Sequence, residues 1–156
     1  MKTLFTDMPQ FEEKSPSIFL CGPTPRSKEV PSWRPEAVEI LSQLQFEGTV
    51  IIPEDSKWGF RNGYVDQIEW ELCGIHHCSA VVFWIPRKMD TMPALTTNTE
   101  FGYCISKYPN KMYYGRPTGA ASTGYQDYLY HKFLNKTPCD NLVSLLSESV
   151  NFIKDS

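Results

Sequence analysis

Four short, largely apolar runs alternate with segments of helical periodicity, and this alternation constrains the fold more than any other feature of the chain. Residues 18–21 read Ile-Phe-Leu-Cys and stop at Gly22-Pro23; residues 49–52 stop at Pro53; residues 80–85 stop at Pro86; residues 111–114 form a fourth run. A run apolar at every position, rather than at alternate ones, suits a strand covered by helices on both faces. Between the runs, Ala37, Ile40, Leu41 and Leu44 share a helical stripe that opens near Pro35 and closes at Gly48. Val65, Ile68, Leu72 and Ile75 do the same over residues 64–78. Phe101, Cys104 and Ile105 point inward over residues 98–107, and Leu142, Leu145, Leu146, Val150 and Ile153 over the last helix, capped by Asp140 or Asn141. The pattern predicts a doubly wound, mainly parallel α/β sheet of four to five strands with helices on both faces. Ligands then belong at the carboxyl ends of the strands, after Cys21, Pro53, Pro86 and Gly115.

The remaining segments read as connections. Residues 1–16, with Pro9 and Pro16, form an N-terminal tail or edge element, and residues 17–156 a single domain. Loops are expected over 54–63, which carries Trp58 and Phe60, over 87–97, and over 115–138 with one helical turn near 128–133. A chain of 156 residues that is 41% apolar supports one core. A net charge of −3 without long runs of either sign argues against nucleic-acid polymers and polybasic membrane anchors, which leaves small molecules as partners. No apolar stretch approaches the roughly 20 residues that span a bilayer. Cys21, Cys73, Cys78, Cys104 and Cys139 form no CxxC pair, so the thiols are expected to stay reduced in the cytoplasm.

Several residues could carry chemistry. Glu100 falls in the first turn of the helix expected over 98–107, where the dipole favours a carboxylate; it is either a nucleophile or an ordinary first-turn acid. Asp66, Glu69 and Glu71 lie on the preceding helix and Asp90 in the loop between. Two carboxyl groups in unlike surroundings are what cleavage of a glycosidic bond uses, and spacing leaves open which acids pair. Trp70 marks a second buried side of its helix or a stacking surface. Cys73, His76 and His77 have metal-like spacing but lack a second cluster, so no metal is expected and the histidines are read as capping the helix end. Gly22, Pro23, Thr24, Arg26, Ser27 and Lys28 offer hydroxyls and cations at a helix start, and Arg116 is a second candidate anion ligand.

Ile18-Phe19-Leu20-Cys21-Gly22-Pro23, Trp70-Glu71, Phe83-Trp84-Ile85-Pro86-Arg87, Thr96-Thr97-Asn98-Thr99-Glu100-Phe101-Gly102 and Gly115-Arg116-Pro117 together resemble the nucleoside 2-deoxyribosyltransferase-like family. The resemblance implies a flavodoxin-like sheet, no cofactor, and a homo-oligomer whose neighbouring subunit helps complete each active site. It implies Glu100 as the nucleophile at the anomeric carbon, Glu71 as the acid that contacts the base and moves a proton, and Asp90 as a further base-site acid. An aromatic that hydrogen-bonds the nucleophile from the first strand appears here as Phe19, without a hydroxyl. Gly22, Pro23, Thr24, Arg26, Trp70, Thr97, Asn98, Gly102 and Arg116 complete the implied substrate site. The implied reaction is transfer of a deoxyribosyl group from a deoxynucleoside to a free nucleobase. Alternatives within the resemblance are hydrolysis of deoxynucleoside 5′-monophosphates and a nucleotide-binding module without turnover.

Overall fold

In the computed structural model, which describes residues 1–8, 15–56 and 63–156, the apolar runs become strands of one sheet. The strands are β1 (Lys2–Phe5), β2 (Ser17–Cys21), β3 (Thr49–Ile52), β4 (Ala80–Trp84) and β5 (Met112–Gly115), in the order β1-β3-β2-β4-β5. All neighbours are parallel, with Phe19 of β2 level with Ile51 on one side and Val81 on the other. The helices are α1 (Arg34–Gln43), α2 (Tyr64–His77), α3 (Leu95–Lys107), α4 (Gly124–Leu134) and α5 (Leu142–Asp155). The architecture is flavodoxin-like, with β1 added at the edge beyond β3. Trp58 and Phe60 of the expected 54–63 loop lie outside the described residues.

Because successive strand residues point to opposite faces, each run feeds two cores. Ile18, Leu20, Val50, Ile52, Val82 and Trp84 pack against α1 and α5. Phe19, Cys21, Ile51, Val81, Phe83 and Tyr114 pack against α2, α3 and α4. The chain winds from β2 through α1 out to β3, then crosses back through α2 to β4, so the winding reverses between β2 and β4. A crevice opens at the carboxyl ends of strands at such a reversal.

Three helices differ from expectation. The stripe of α1 stops at Gln43, because Gln45 turns left-handed (φ 54°) and the Phe46 N–H donates to the Leu41 carbonyl, well before Gly48. Gly48 serves packing instead, since a Cβ there would lie 2.3 Å from the Pro16 carbonyl oxygen. Helix α3 starts at Leu95 rather than 98, because Ala94 takes a left-handed conformation (φ 58°) and turns the chain directly after Pro93. Within residues 115–138, expected to be mostly loop with a single turn, α4 runs for three turns. Only Gln126 and Tyr130 are buried along α4, so its sequence carries almost no apolar stripe.

Candidate active site

Each element around the crevice contributes through its position on the sheet. Gly22, directly after β2, has φ 154°, and a Cβ there would sit 2.2 Å from the Trp84 carbonyl oxygen and 2.7 Å from the Trp33 ring. Only glycine lets the first loop turn so tightly past the end of β4. The loop then runs through Pro23, Thr24 and Arg26 along one wall. Helices α2 and α3 lie on the same sheet face and supply the opposite wall with Gln67, Ile68 and Glu71, and with Thr96, Thr97 and Glu100. The cavity between these walls measures about 550 Å³, ample for a nucleoside-sized ligand.

Glu71 and Glu100 face each other across the junction of α2 and α3, with their carboxyl groups within hydrogen-bonding contact. Burial pushes the Glu100 carboxyl up to about 8, and the neighbouring Glu71 charge adds to the rise. Burial also raises Glu71, against a 2.8 Å hydrogen bond donated by Gln67 Nε2 one turn earlier and against the positive field of Arg34. Burial and mutual repulsion together make it costly to ionise both groups at once. This corrects the expectation that a helix N-terminus keeps Glu100 ionised. With α3 starting at Leu95, Glu100 stands in the second turn, where the backbone N–H groups are already used within the helix. Cys21 lies beneath the pair, and its thiol is pushed up by burial and then by Glu100.

Arg34 organises this end of the crevice and escaped the sequence reading. Its Nε donates to the Leu20 carbonyl (3.1 Å), its Nη2 to the Gly22 carbonyl (2.7 Å), and its Nη1 to Thr24 Oγ1 and to Glu54 Oε1. It therefore ties the end of β2 to Glu54, two residues beyond β3, while its charge favours the ionised forms of Glu71 and Glu100. The sequence signals were an arginine immediately before the helix-starting Pro35 and an acid immediately after Pro53. Gln67, also missed, sits one helical turn before Glu71.

Of the residues singled out from sequence, Gly22, Pro23, Thr24, Arg26, Glu71, Thr97 and Glu100 line this cavity. The others lie elsewhere. Phe19 is fully buried in the core and packs on Trp70 with ring centroids 6.3 Å apart, so Trp70 is a core residue rather than a stacking surface. Asp90 is exposed and accepts hydrogen bonds from Thr91. Arg116 is engaged by Asp127 through Nε and Nη2, at 3.0 and 2.7 Å. Asn98 and Gly102 face a second cavity on the other flank of α3. His76 hydrogen-bonds Tyr108, and His77 turns back to Cys73. The carbonyls at the end of α2 are capped by Lys111, whose Nζ donates to Ile75, His76 and Cys78, rather than by the histidines. Among the described residues no group of His, Cys, Asp or Glu converges as a metal site would, and no helix is long and apolar enough to cross a membrane.

A crevice at the β2/β4 reversal, walled by a glycine-turned loop and a carboxyl pair, agrees with a family model that matches the chain. That model, described as nucleoside 2-deoxyribosyltransferase like, covers residues 15–118, the stretch that holds every described residue lining the cavity. No curated protein matches the chain. With two thirds of its length matched, including both carboxyl residues, the chain belongs to the nucleoside 2-deoxyribosyltransferase-like family.

Proposed function

We propose that this protein cleaves the N-glycosidic bond of 2′-deoxyribonucleosides and transfers the deoxyribosyl group to another nucleobase through an ester on Glu100. The observation that carries the reading is the meeting of Glu71 and Glu100 in one cavity, where burial and repulsion favour keeping a proton on the pair over ionising both groups. Passing that proton from Glu100 to Glu71 yields a nucleophile and an acid side by side. Glu100 then attacks C1′ as the C1′–N bond breaks, the bonding electrons go to the base nitrogen, and that nitrogen takes the proton from Glu71. In the second half, the nitrogen of an incoming base attacks C1′, its proton goes to Glu71, and the Glu100 carboxylate is released. With Glu100 as the nucleophile the reaction is a double displacement, which retains configuration at C1′. Arg34 holds the loop at the end of β2 and balances the charge. In this reading Phe19 and Trp70 act only by packing, and a second copy of the chain closes the open side of the cavity.

Arg26 bears on a second reading, hydrolysis of deoxynucleoside 5′-monophosphates. It lines the same cavity with an exposed side chain, and its backbone N–H donates to the Thr91 carbonyl at 3.0 Å, which fixes the loop. Pro23 and Pro25 each remove a backbone donor that a phosphate would use, which favours the unphosphorylated nucleoside. Incubation with deoxynucleosides and their monophosphates, with and without a second free base, separates the readings by product. Base exchange on nucleosides is expected. Release of free sugar phosphate alone would select the hydrolase. Arg26→Ala is expected to leave nucleoside turnover unchanged; a rise of about tenfold to a hundredfold in KM for monophosphates would place the phosphate against Arg26.

A further inference from the structure

On the flank of α3 turned away from Glu100 lies a second cavity of about 390 Å³, and at its back is a charge the protein does not neutralise. Arg87 is 4% exposed. Its Nη1 donates to the Ser122 carbonyl at 2.6 Å, its Nη2 donates to Asn98 Oδ1, and its Nε has no partner among the described residues. No carboxylate among them pairs with it. A buried guanidinium normally sits opposite an anion, because solvating it with neutral dipoles alone is costly. Gln126, 5% exposed, sends its Nε2 to the same Asn98 oxygen at 2.6 Å. Two buried donors thus converge on one acceptor, and that acceptor belongs to the exposed side chain of the three.

The remaining walls are apolar. Pro93, Phe101 and Leu129 line the interior, while Met89, Leu95 and Tyr125 stand exposed at the rim. Single exposed apolar side chains need no explanation, but three around one cavity with a buried cation at its back have the composition of a ligand site.

We propose that this cavity binds a small organic carboxylate with an apolar or aromatic body. The carboxylate takes the position now held by Asn98 Oδ1 and receives hydrogen bonds from Arg87 Nη2 and Gln126 Nε2, and the body lies between Leu95, Met89 and Tyr125. Asn98, carried on the surface of α3, swings outward to admit it. The amide oxygen is then a neutral stand-in for the ligand's anionic oxygen, and binding supplies the missing countercharge in place of a dipole.

Calorimetric titration of the full-length protein with benzoate tests this, with benzyl alcohol and inorganic phosphate as controls. Saturable one-to-one binding of benzoate is expected, with benzyl alcohol and phosphate each at least about tenfold weaker, since each lacks one half of the recognised chemistry. Asn98→Ala, which empties the acceptor position, is expected to tighten benzoate binding. Asn98→Asp, which fills it with a carboxylate, is expected to abolish binding and raise the melting temperature. Arg87→Gln is expected to abolish binding, and should that variant fail to fold, the Asn98 pair decides. Glu100→Gln is expected to bind benzoate as the parent does, which separates this site from the nucleoside cavity. The proposal is overturned if benzoate does not bind, if phosphate binds as well as benzoate, or if Asn98→Asp retains the parent affinity. Loss of benzoate binding in Glu100→Gln would equally overturn it.

Discussion

Glu100 carries its proton to higher pH than an ordinary carboxyl group because ionising it means placing charge in a partly buried wall beside Glu71. The consequence for stability has a definite sign. A carboxyl whose value rises on folding contributes stability that is fully present below its unfolded value, and that contribution is lost as pH climbs through the folded value, here about 8. The parent protein is therefore expected to lose more melting temperature between pH 5.5 and pH 9 than Glu100→Gln does, with the variant the more stable of the two at pH 9. Equal pH dependence in thermal melts of the two proteins would contradict the burial of this group. In the same variant, turnover is expected to fall by roughly two to three orders of magnitude or more, as when a nucleophile is lost. Glu71→Gln is expected to behave differently. It removes the group that accepts the proton of Glu100, so the alkaline limb of the kcat/KM profile, set by loss of the pair's shared proton, disappears, and poor leaving bases slow more than good ones. Uniform slowing across a series of bases, with an unchanged profile, would deny Glu71 a part in proton transfer.

The carboxyl pair depends on how closely α2 packs on the sheet. Gly74 makes that approach possible: a Cβ there would stand 2.7 Å from the Phe19 ring and 3.4 Å from Ile51. Gly74→Ala must lift α2 or displace Phe19, at a cost of about 1–3 kcal/mol. Since Glu71 lies one turn earlier on the same helix, the variant is expected to lose activity beyond what its stability loss explains. Chemical denaturation and assays well below the midpoint check this; full activity in folded Gly74→Ala would show that the pair tolerates movement of α2. The strands and the α2 stripe were legible in the sequence because largely apolar runs and helical stripes report burial directly. The start of α3 was not, because it depends on a left-handed alanine that no residue type announces, and the three-residue shift changed the electrostatics argued for Glu100. Helix α4 was illegible for another reason: it buries Gln126 and Tyr130 and exposes Tyr125, Tyr128 and Phe133, against the usual pattern.

At the scale of the whole molecule, the winding order does what no single motif could. It brings the ends of β2 and β4 together and sets α2 and α3 over one face, so that residues from three loops and three helices meet. Arg34 illustrates why such a site is only half legible beforehand: it acts through carbonyls of Leu20 and Gly22 and through Glu54, partners assembled by the fold rather than by spacing. Glu71 and Glu100, by contrast, were legible as acids on successive helices beside a predicted ligand edge. The account rests on a covalent bond to one of them, and mass spectrometry of the protein quenched during turnover tests it most directly. With a deoxynucleoside and no acceptor base, a species heavier by one deoxyribosyl group is expected, and peptide mapping is expected to place that group on Glu100. A deoxyribosyl group mapped to any other residue, or a full single turnover in which the protein mass never changes, would contradict it.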